Sequence, residues 1–513
     1  MNSKNVAGHL ETFTDSFGRT VLLKHRFHPE AFLRYRAKDL ESVFADDFKV
    51  LKEFIEHHRK RQRPRLLELY DYGKARNHVI AQDEYRRNET EMSDARAIHN
   101  FGGIMTTFKK GYMLGVPVKV EYAGQSSFEA VEHDSDFNDL NRQLVSDLSK
   151  VGRAYDIVYR RDDDTTQVRK LSPLETFVIY DYSLSQHSLC AVRYYSVNLF
   201  DKSQEFVEVY TDSQILTFEY DGKKLTETVT DIEQRAKHAF QAVPVTEYLN
   251  DEEGMGDYEP ALSLIDLYDA SQSDTANYMA DLADAILAIF GDIAFPEEWT
   301  NEQQLEFMKT MRKARLMMLK PPKDADGKQS GTVDARYLYK QYDVNGTEAY
   351  KTRIEKDIHK MTGMPDLSDS AFAGTQSGVA MLYKLFGFDQ RRVDTQTLFE
   401  KSLRRRYELV ARVGRLVNEF GDFNQADLRV TFTPNLPKAM SEVIQNFKAL
   451  GGSISNETAM RVTGVVDDPK QELENIQKET VAGSQLHQVM AERERALEDK
   501  DLTDEQETVE TSE

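Results

Sequence analysis

Carboxylates are the chain's most abundant reactive groups: 87 Asp and Glu stand against 66 Lys and Arg, for a formal net charge of -21 over 513 residues. Paired carboxylates could hold divalent metals for phosphodiester cleavage, so a metal-dependent nuclease stays open, although no pair is marked out for that role. Other spacings speak against particular chemistries. No Gly-x-x-x-x-Gly-Lys-Ser/Thr stretch is present to cradle a triphosphate, and Gly254 with Gly256 lacks the third glycine of a dinucleotide fingerprint. His57 and His58 are adjacent and would point to different helix faces, wrong for shared metal ligation; each is expected at the surface. There is no His-Glu-x-x-His pair and no Gly-x-Ser-x-Gly elbow. The single cysteine, Cys190, can close no internal disulfide and is expected as a small buried apolar side chain. Asp162, Asp163 and Asp164 are consecutive, without the alternation and the glycine of a calcium loop.

The basic run Arg59, Lys60, Arg61, Arg63 and Arg65 admits two readings, a phosphate-contacting patch or a solvated helix end whose cations suit the terminal dipole. The acidic balance argues against wrapping nucleic acid, which needs clustered cations. It is compatible with guiding DNA past without gripping it. The longest purely apolar run, Ala285 to Phe290, is far short of the roughly 20 residues that span a bilayer. No signal-peptide pattern opens the sequence, so no membrane partner and a cytoplasmic life are expected.

These groups must be positioned by an α+β chain. The stretch to about Tyr85 reads as helical, with Phe44, Phe48, Leu51 and Ile55 in the 3.6 period and a break at Pro64. From Val116 to about Tyr248 the texture is β-rich, with a hairpin tip at Arg161 to Thr166 between Tyr155 to Arg160 and Gln167 to Leu171. A long helix is predicted over Tyr258 to Phe290, capped by Asp257 with Pro260 in its first turn; about 33 residues would make a rod of roughly 50 Å. Ile265, Tyr268, Gln272, Thr275, Met279, Leu282, Ile286 and Ile289 form a heptad-like seam on it, and Asp266, Asp269, Asp274, Asp281 and Asp284 a solvated acidic face.

A compact insertion follows over Asp292 to Asn345, with a helix from Asn301 to Leu319 and a strand from Ala335 to Tyr342. Helices are then expected over Thr347 to Met361 and from Ser377 to about Phe420, the latter with a possible kink at Gly387. The last of these carries Arg391, Arg392, Lys401, Arg404, Arg405, Arg406, Arg412 and Arg415, which could meet the acidic face within or between subunits. A strand over Leu428 to Phe432 precedes a helical C-terminal part with the apolar stripe Met440, Val443, Ile444 and Phe447. From about Ala491 the composition is that of a frayed, acidic tail.

The order of several segments resembles the portal proteins of siphovirus-type tailed phages. It is carried by LYDYGKARNHVI from Leu69, IHNFGGIMTTFKKGYMLGVPVKVE from Ile98, VGRAYDIVY from Val151, LSPLETFVIYD from Leu171 and AVRYY from Ala191. The longest match begins VPVTEYLNDEEGMGDYEPALSLIDLYDASQSD at Val243. It is joined by IHKMTGMPDLSDSAFAGTQSGVAMLYKL from Ile358 and FTPNLPKAMSEVIQNFKALGGSISNETAMRVTGVVDD from Phe432. The resemblance implies a non-enzymatic subunit without cofactor or metal, in a ring commonly of twelve copies at the capsid vertex of a virion, assembled in the host bacterial cytoplasm. Its partners would be itself, double-stranded DNA contacted transiently and without sequence readout, the terminase large subunit, a head-tail adaptor, and the major capsid and scaffolding proteins.

On this sequence the resemblance implies a wing over residues 1–256 with strand 428–432 returning to it, a stem helix over 257–291, a clip over 292–345 and a second stem helix over 346–363. A tunnel loop over 364–377, a long kinked wing helix over 378–427, a crown over 437–490 and an acidic tail over 491–513 follow. The loop residues facing DNA would be Pro365, Asp366, Leu367, Ser368, Asp369, Ser370, Ala371, Phe372, Ala373, Gly374, Thr375 and Gln376, with Phe372, Asp366 and Asp369 nearest the duplex. The alternatives are a minor head or scaffold-associated protein that conducts no DNA, and the nuclease.

Overall fold

A computed structural model describes residues 10–14, 20–24, 28–81, 93–122, 128–199, 202–229, 235–283, 286–290, 292–293, 298–314, 319–321, 326–329, 332, 334–338, 343–366, 378–417, 421, 423–435, 454–463, 469 and 471–478. Two units emerge, residues 1–374 with 383–435, and residues 375–382 with 436–513. The expected apolar stripe Met440, Val443, Ile444 and Phe447 and the acidic tail lie outside the described residues.

The first unit opens with strands rather than helix: β1 (Leu10–Thr14) pairs antiparallel with β2 (Thr20–Lys24), and β3 (Tyr35–Arg36) follows. Helix α1 (Leu40–His57), kinked over Ala45 to Phe48 where Asp46, Asp47 and Phe48 take positive φ, starts at a capping box, Asp39 Oδ1 accepting from the Ser42 amide at 2.8 Å while Ser42 Oγ accepts from the Asp39 amide. A π-helical stretch, His58–Gln62, joins it to α2 (Arg63–Tyr72). Pro64 thus falls in a first turn, where its missing N–H is not needed, and the chain continues where the sequence suggested a break.

Next come α3 (Phe101–Leu114), β4 (Lys119–Tyr122), α4 (Glu129–Asp134) and α5 (Phe137–Val151). The β-rich part comprises β5 (Arg153–Arg160), β6 (Thr166–Leu171), β7 (Thr176–Tyr180), β8 (Ser188–Leu199), β9 (Lys202–Tyr210), β10 (Gln214–Tyr220), β11 (Leu225–Glu227), β12 (Ala236–Lys237) and β13 (Val245–Leu249). One sheet has the order β11-β10-β9-β8-β7-β3 with β12 beside β10, all antiparallel except β3 with β7. Helix α1 lays Val43, Leu51 and Ile55 on its Phe177, Val192, Val207 and Phe218, and Cys190 is buried in this core as expected. A second sheet, β13-β5-β6, contains the expected hairpin, Arg160 opposite Thr166 with the aspartates at its tip.

The long helix is shorter than its periodicity suggested. After a 3-10 turn at Glu259–Ala261, α6 covers Leu262–Ala283, and Ile286–Phe290 is a strand, β14. A run of five apolar residues is ambiguous by pattern alone, and its partner decides: β17 (Asp334–Leu338) pairs with it antiparallel, Ile286 opposite Leu338. Between them lie β15 (Asp292–Ile293), α7 (Asn301–Ala314) and β16 (Leu319–Lys320). Helices α8 (Val344–Thr362) and α9 (Gly378–Leu416) come close to their expected bounds, and β18 (Leu428–Thr431) returns to pair with β4, Val430 opposite Val120. In the second unit, α10 (Asn456–Thr463) is preceded by Ser455, whose Oγ accepts from the Thr458 amide at 3.3 Å. No described helix is long and apolar enough to cross a membrane.

Charge is carried into this interior at defined points. The Lys109 ammonium, 1% exposed, donates to Asn250 Oδ1, Asp257 Oδ1 at 2.9 Å and Thr395 Oγ1 at 3.0 Å, which ties α3 and α9 to the loop after β13. The same loop is held from α2, where buried Arg65 forks onto both oxygens of Glu259 and donates to the Gly254 carbonyl at 3.0 Å. Asp257 therefore serves Lys109, not the helix cap expected of it. Arg406 on α9 is fully buried between Phe137 and Tyr248, donating to Asp156 at 2.7 Å and to Asn141 at 2.8 Å. His58, expected at the surface, is buried. Its ring stacks on Phe177, and Nδ1 lies 2.8 Å from the Tyr194 hydroxyl.

Two outcomes follow for stability. Lys109→Met leaves Asp257 buried without its cation and should cost about 3–5 kcal/mol in denaturant unfolding, with part restored when Asp257→Leu is added; a loss under about 1 kcal/mol would show the ammonium to be dispensable. Burial, with Arg153, Arg63, His57 and Arg59 adding to it, pushes the His58 imidazole down to about 3 from its usual 6.5. Between those values the unfolded chain binds more protons. Stability should therefore fall as pH drops below about 6.5, by up to about 1.4 kcal/mol per unit from this group. His58→Gln should flatten that slope relative to the parent between pH 6 and 4, and parallel pH profiles would contradict the assignment.

Candidate functional site

The segment expected to face DNA springs from the end of α8. That helix is opened by Asp343, which accepts from the Gly346 amide at 2.9 Å, and ends at Gly363, whose φ of +66° is the left-handed conformation glycine tolerates best. Thr362 turns its hydroxyl back to the Ile358 carbonyl at 2.8 Å, and Arg391 of α9 donates to the Met361 carbonyl at 3.0 Å. A cation thus sits on the negative end of the helix dipole while joining the two helices that flank the loop. Met364 is buried; Pro365 and Asp366 are half-buried, with Asp366 Oδ1 at 4.0 Å from His359 Nε2. Of the expected loop residues, Pro365 and Asp366 therefore belong to its base. Leu367, Ser368, Asp369, Ser370, Ala371, Phe372, Ala373, Gly374, Thr375 and Gln376 lie outside the described residues.

Beneath that base is an aromatic cluster. Phe101 meets the His359 ring edge-on at 6.3 Å and Tyr268 at 5.4 Å, and His99 meets Tyr268 at 4.8 Å. It joins α3, α6 and α8. Asp389 of α9 accepts from Arg392 at 2.7 Å and from the Tyr112 hydroxyl at 3.1 Å. Burial opposes its ionisation, but Arg392 and Tyr112 outweigh that and hold the carboxyl below its usual range.

Helix α6 is fixed by a polar ladder that its sequence pattern concealed. Asn277 Oδ1 accepts from the Ala95 amide at 2.7 Å, Ser273 Oγ from the Ala97 amide at 2.9 Å, and Asp269 Oδ1 from the His99 amide at 3.0 Å. Two residues of extended chain span about 6.6–7.2 Å and four residues of helix rise about 6 Å, so the two spacings match. Asp269 also takes His99 Nδ1 at 2.7 Å and the Asn77 side-chain amide. It is fully buried, and Asp266 accepts from the Tyr72 hydroxyl, so these two do not belong to a solvated acidic face. The side chains of Asp281 and Asp284 lie outside the described residues.

The acidic and basic helices do not pair within the chain among the described residues. The α9 cations are used elsewhere: Arg404 on Glu400, Arg412 on Glu408, Arg406 on Asp156. Nor do Arg59 to Arg65 form an open phosphate patch. Arg59 meets Glu205, Lys60 meets Glu56, Arg61 meets Glu30, and Arg65 is buried on Glu259. Lys109 carries no sequence expectation, and Arg406, expected among the α9 cations that could meet the acidic face, is buried on Asp156; both are legible from position. Lys109 lies four residues from buried Met105 and Met113, and Arg406 continues the buried stripe Phe399, Leu403, Val410 and Val413.

The glycines of the quoted motifs also acquire a reason. Tyr258 is fully buried with its hydroxyl on the Leu69 carbonyl, and a Cβ on Gly73 or Gly102 would lie 2.9 Å or 3.0 Å from its side chain. Both motifs thus make room for one ring.

The sequence shows what family the chain belongs to. The family described as phage portal protein, SPP1 Gp6-like, matches residues 52–485. The portal protein of Bacillus phage SPP1 is 24% identical over 423 residues, 79% of this chain and 80% of its own. The portal protein of Clostridium phage phiCD119 is 24% identical over 348 residues, 63% of this chain and 73% of its own. Among solved structures, a chain from the neck of a native gene transfer agent particle aligns over 71% of this chain and 88% of its own, at TM-score 0.38 and 12% identity. The empty particle's neck gives 0.37 over 71% and 89%. The match to the family over most of its length establishes that this chain belongs to the phage portal proteins, the structural, ring-forming virion subunits that make the channel at the capsid vertex.

Proposed function

We propose that the chain forms a ring of about twelve copies with closed cyclic symmetry, assembled in the host bacterial cytoplasm and carried in the virion. DNA enters through it during packaging and leaves through it at ejection. Its partners are the terminase large subunit, a head-tail adaptor, and the major capsid and scaffolding proteins. Residues 1–256 with strand 428–432 and residues 378–427, of which α9 covers Gly378–Leu416, act as the wing, 257–291 and 346–363 as the stem, 292–345 as the clip and 437–490 as the crown. The pairing of β18 with β4 supports the return of the chain to the wing. The strand pair β14 with β17 supports moving the stem–clip boundary back to about Ala283, where α6 ends. Exposed Leu267 and Met279 on α6, and Tyr350 and Met361 on α8, fit helices that neighbouring copies cover.

The observation that carries the DNA-facing loop is its clamped base. With α8 closed at Gly363 and Arg391 bonded to the Met361 carbonyl, the point from which the chain leaves α8 is fixed against α9. A fixed base of this kind supports a loop that meets a passing duplex without base readout.

Replacing residues 367–376 by a Gly-Ser linker should leave ring assembly and incorporation into particles intact, and should sharply reduce the DNA retained per particle. Particle counts by microscopy and DNA content by nuclease-protected quantification check this. Full genome content with the linker would contradict the loop's role.

A further inference from the structure

A cavity of about 320 Å³ in the first unit is lined by Lys74, Lys110, Arg142, Lys150 and Lys170 from the end of α2, from α3, from α5 and from β6, against only two carboxylates, Asp139 and Asp147. In a chain of net charge -21 this is a local inversion of sign. Asp147 is buried and already engaged, by Lys170 at 2.8 Å and by the Tyr70 hydroxyl. Arg142 is held in place by the Leu114 carbonyl at 2.9 Å, which fixes its guanidinium at the rim without neutralising it. Lys74, Lys110 and Lys150 meet no described carboxylate within ion-pair distance. The stem of Lys150 is confined between the Tyr70 ring, 6.0 Å from its ammonium, and Gly73.

From this arrangement we infer that the cavity is a phosphate-binding site, taking either a free phosphate or polyphosphate anion or a phosphate group of nucleic acid. Several ammonium groups converging on a concave, half-buried site are point-charge donors suited to a compact multivalent oxyanion. An extended ridge of cations would be needed to track a duplex, and the cavity is not that. The like charges are also costly to each other: burial, with Lys74, Lys170 and Lys110 beside it, lowers the Lys150 pKa despite Asp147. A bound anion relieves this. The site does not depend on the channel reading, since it is built from elements outside the loop at the end of α8.

The test is a titration of the full chain with inorganic pyrophosphate, with inorganic phosphate, and with a short DNA duplex, at two salt concentrations. Pyrophosphate should bind at one site per chain. Lys110→Gln and Lys150→Gln should each weaken it by about tenfold or more, while Lys60→Gln, whose partner is Glu56, should not. Acylation of the unmutated protein followed by mass spectrometry gives a readout independent of variant folding: pyrophosphate should protect Lys74, Lys110 and Lys150 and leave Lys60 reactive. If instead only the duplex protects these lysines, and its salt slope falls in the variants, the phosphate comes from nucleic acid. Protection by poly-glutamate as strong as by pyrophosphate, or no protection by any phosphate ligand, would overturn the proposal.

Discussion

One buried ammonium sets the frame on which the first unit depends. Lys109 has left water for a site where Asn250, Asp257 and Thr395 replace its hydration shell, and the desolvation involved, several kcal/mol per ion, is offset only while those partners hold their positions. That requirement couples α3, α9 and the loop from Asn250 to Glu259. Arg65 on Glu259 adds α2 to the same loop, and Tyr258 fills the space left by Gly73 and Gly102. The loop is also the approach to α6, so its geometry sets the direction in which that helix starts.

The helices beyond it are positioned by polar contacts as much as by apolar packing. An oily seam on α6 would tolerate a shift in register; the amides of Ala95, Ala97 and His99 on Asn277, Ser273 and Asp269 do not, because each carbonyl, hydroxyl or carboxylate answers one particular N–H. This leaves apolar side chains such as Leu267 and Met279 exposed on the outside of the helix. In a ring subunit the division is useful. On α6 the register is set by polar matching, and its exposed apolar side chains fit the proposed contacts between copies.

Legibility from sequence followed the range of the interactions. The hairpin around Asp162 to Asp164, the bounds of α8 and the burial of Cys190 come from local spacing and composition, and they stand. Helix α6 was read too long because what ends it is β17, more than forty residues further along the chain, pairing with Ile286–Phe290. His58 and Asp269 were assigned to solvent because polar residues usually are, while their burial depends on Tyr194, Phe177, Asn77 and His99, which nothing local announces. Lys109 and Arg406 sit on apolar stripes and were readable in principle. Of the loop expected to face DNA, Pro365 and Asp366 lie at the end of α8; the expectation for the rest comes from the resemblance to the family, not from a spacing rule.

Single-particle electron microscopy of the purified full-length protein and of the capsid vertex in assembled particles, with particle mass measured alongside, reveals whether the copies close into a ring with an axial passage. Rings of about twelve copies with cyclic symmetry and an opening wide enough for duplex DNA at that vertex are expected. Particles that carry the chain in any arrangement without a closed ring and axial opening would contradict this expectation.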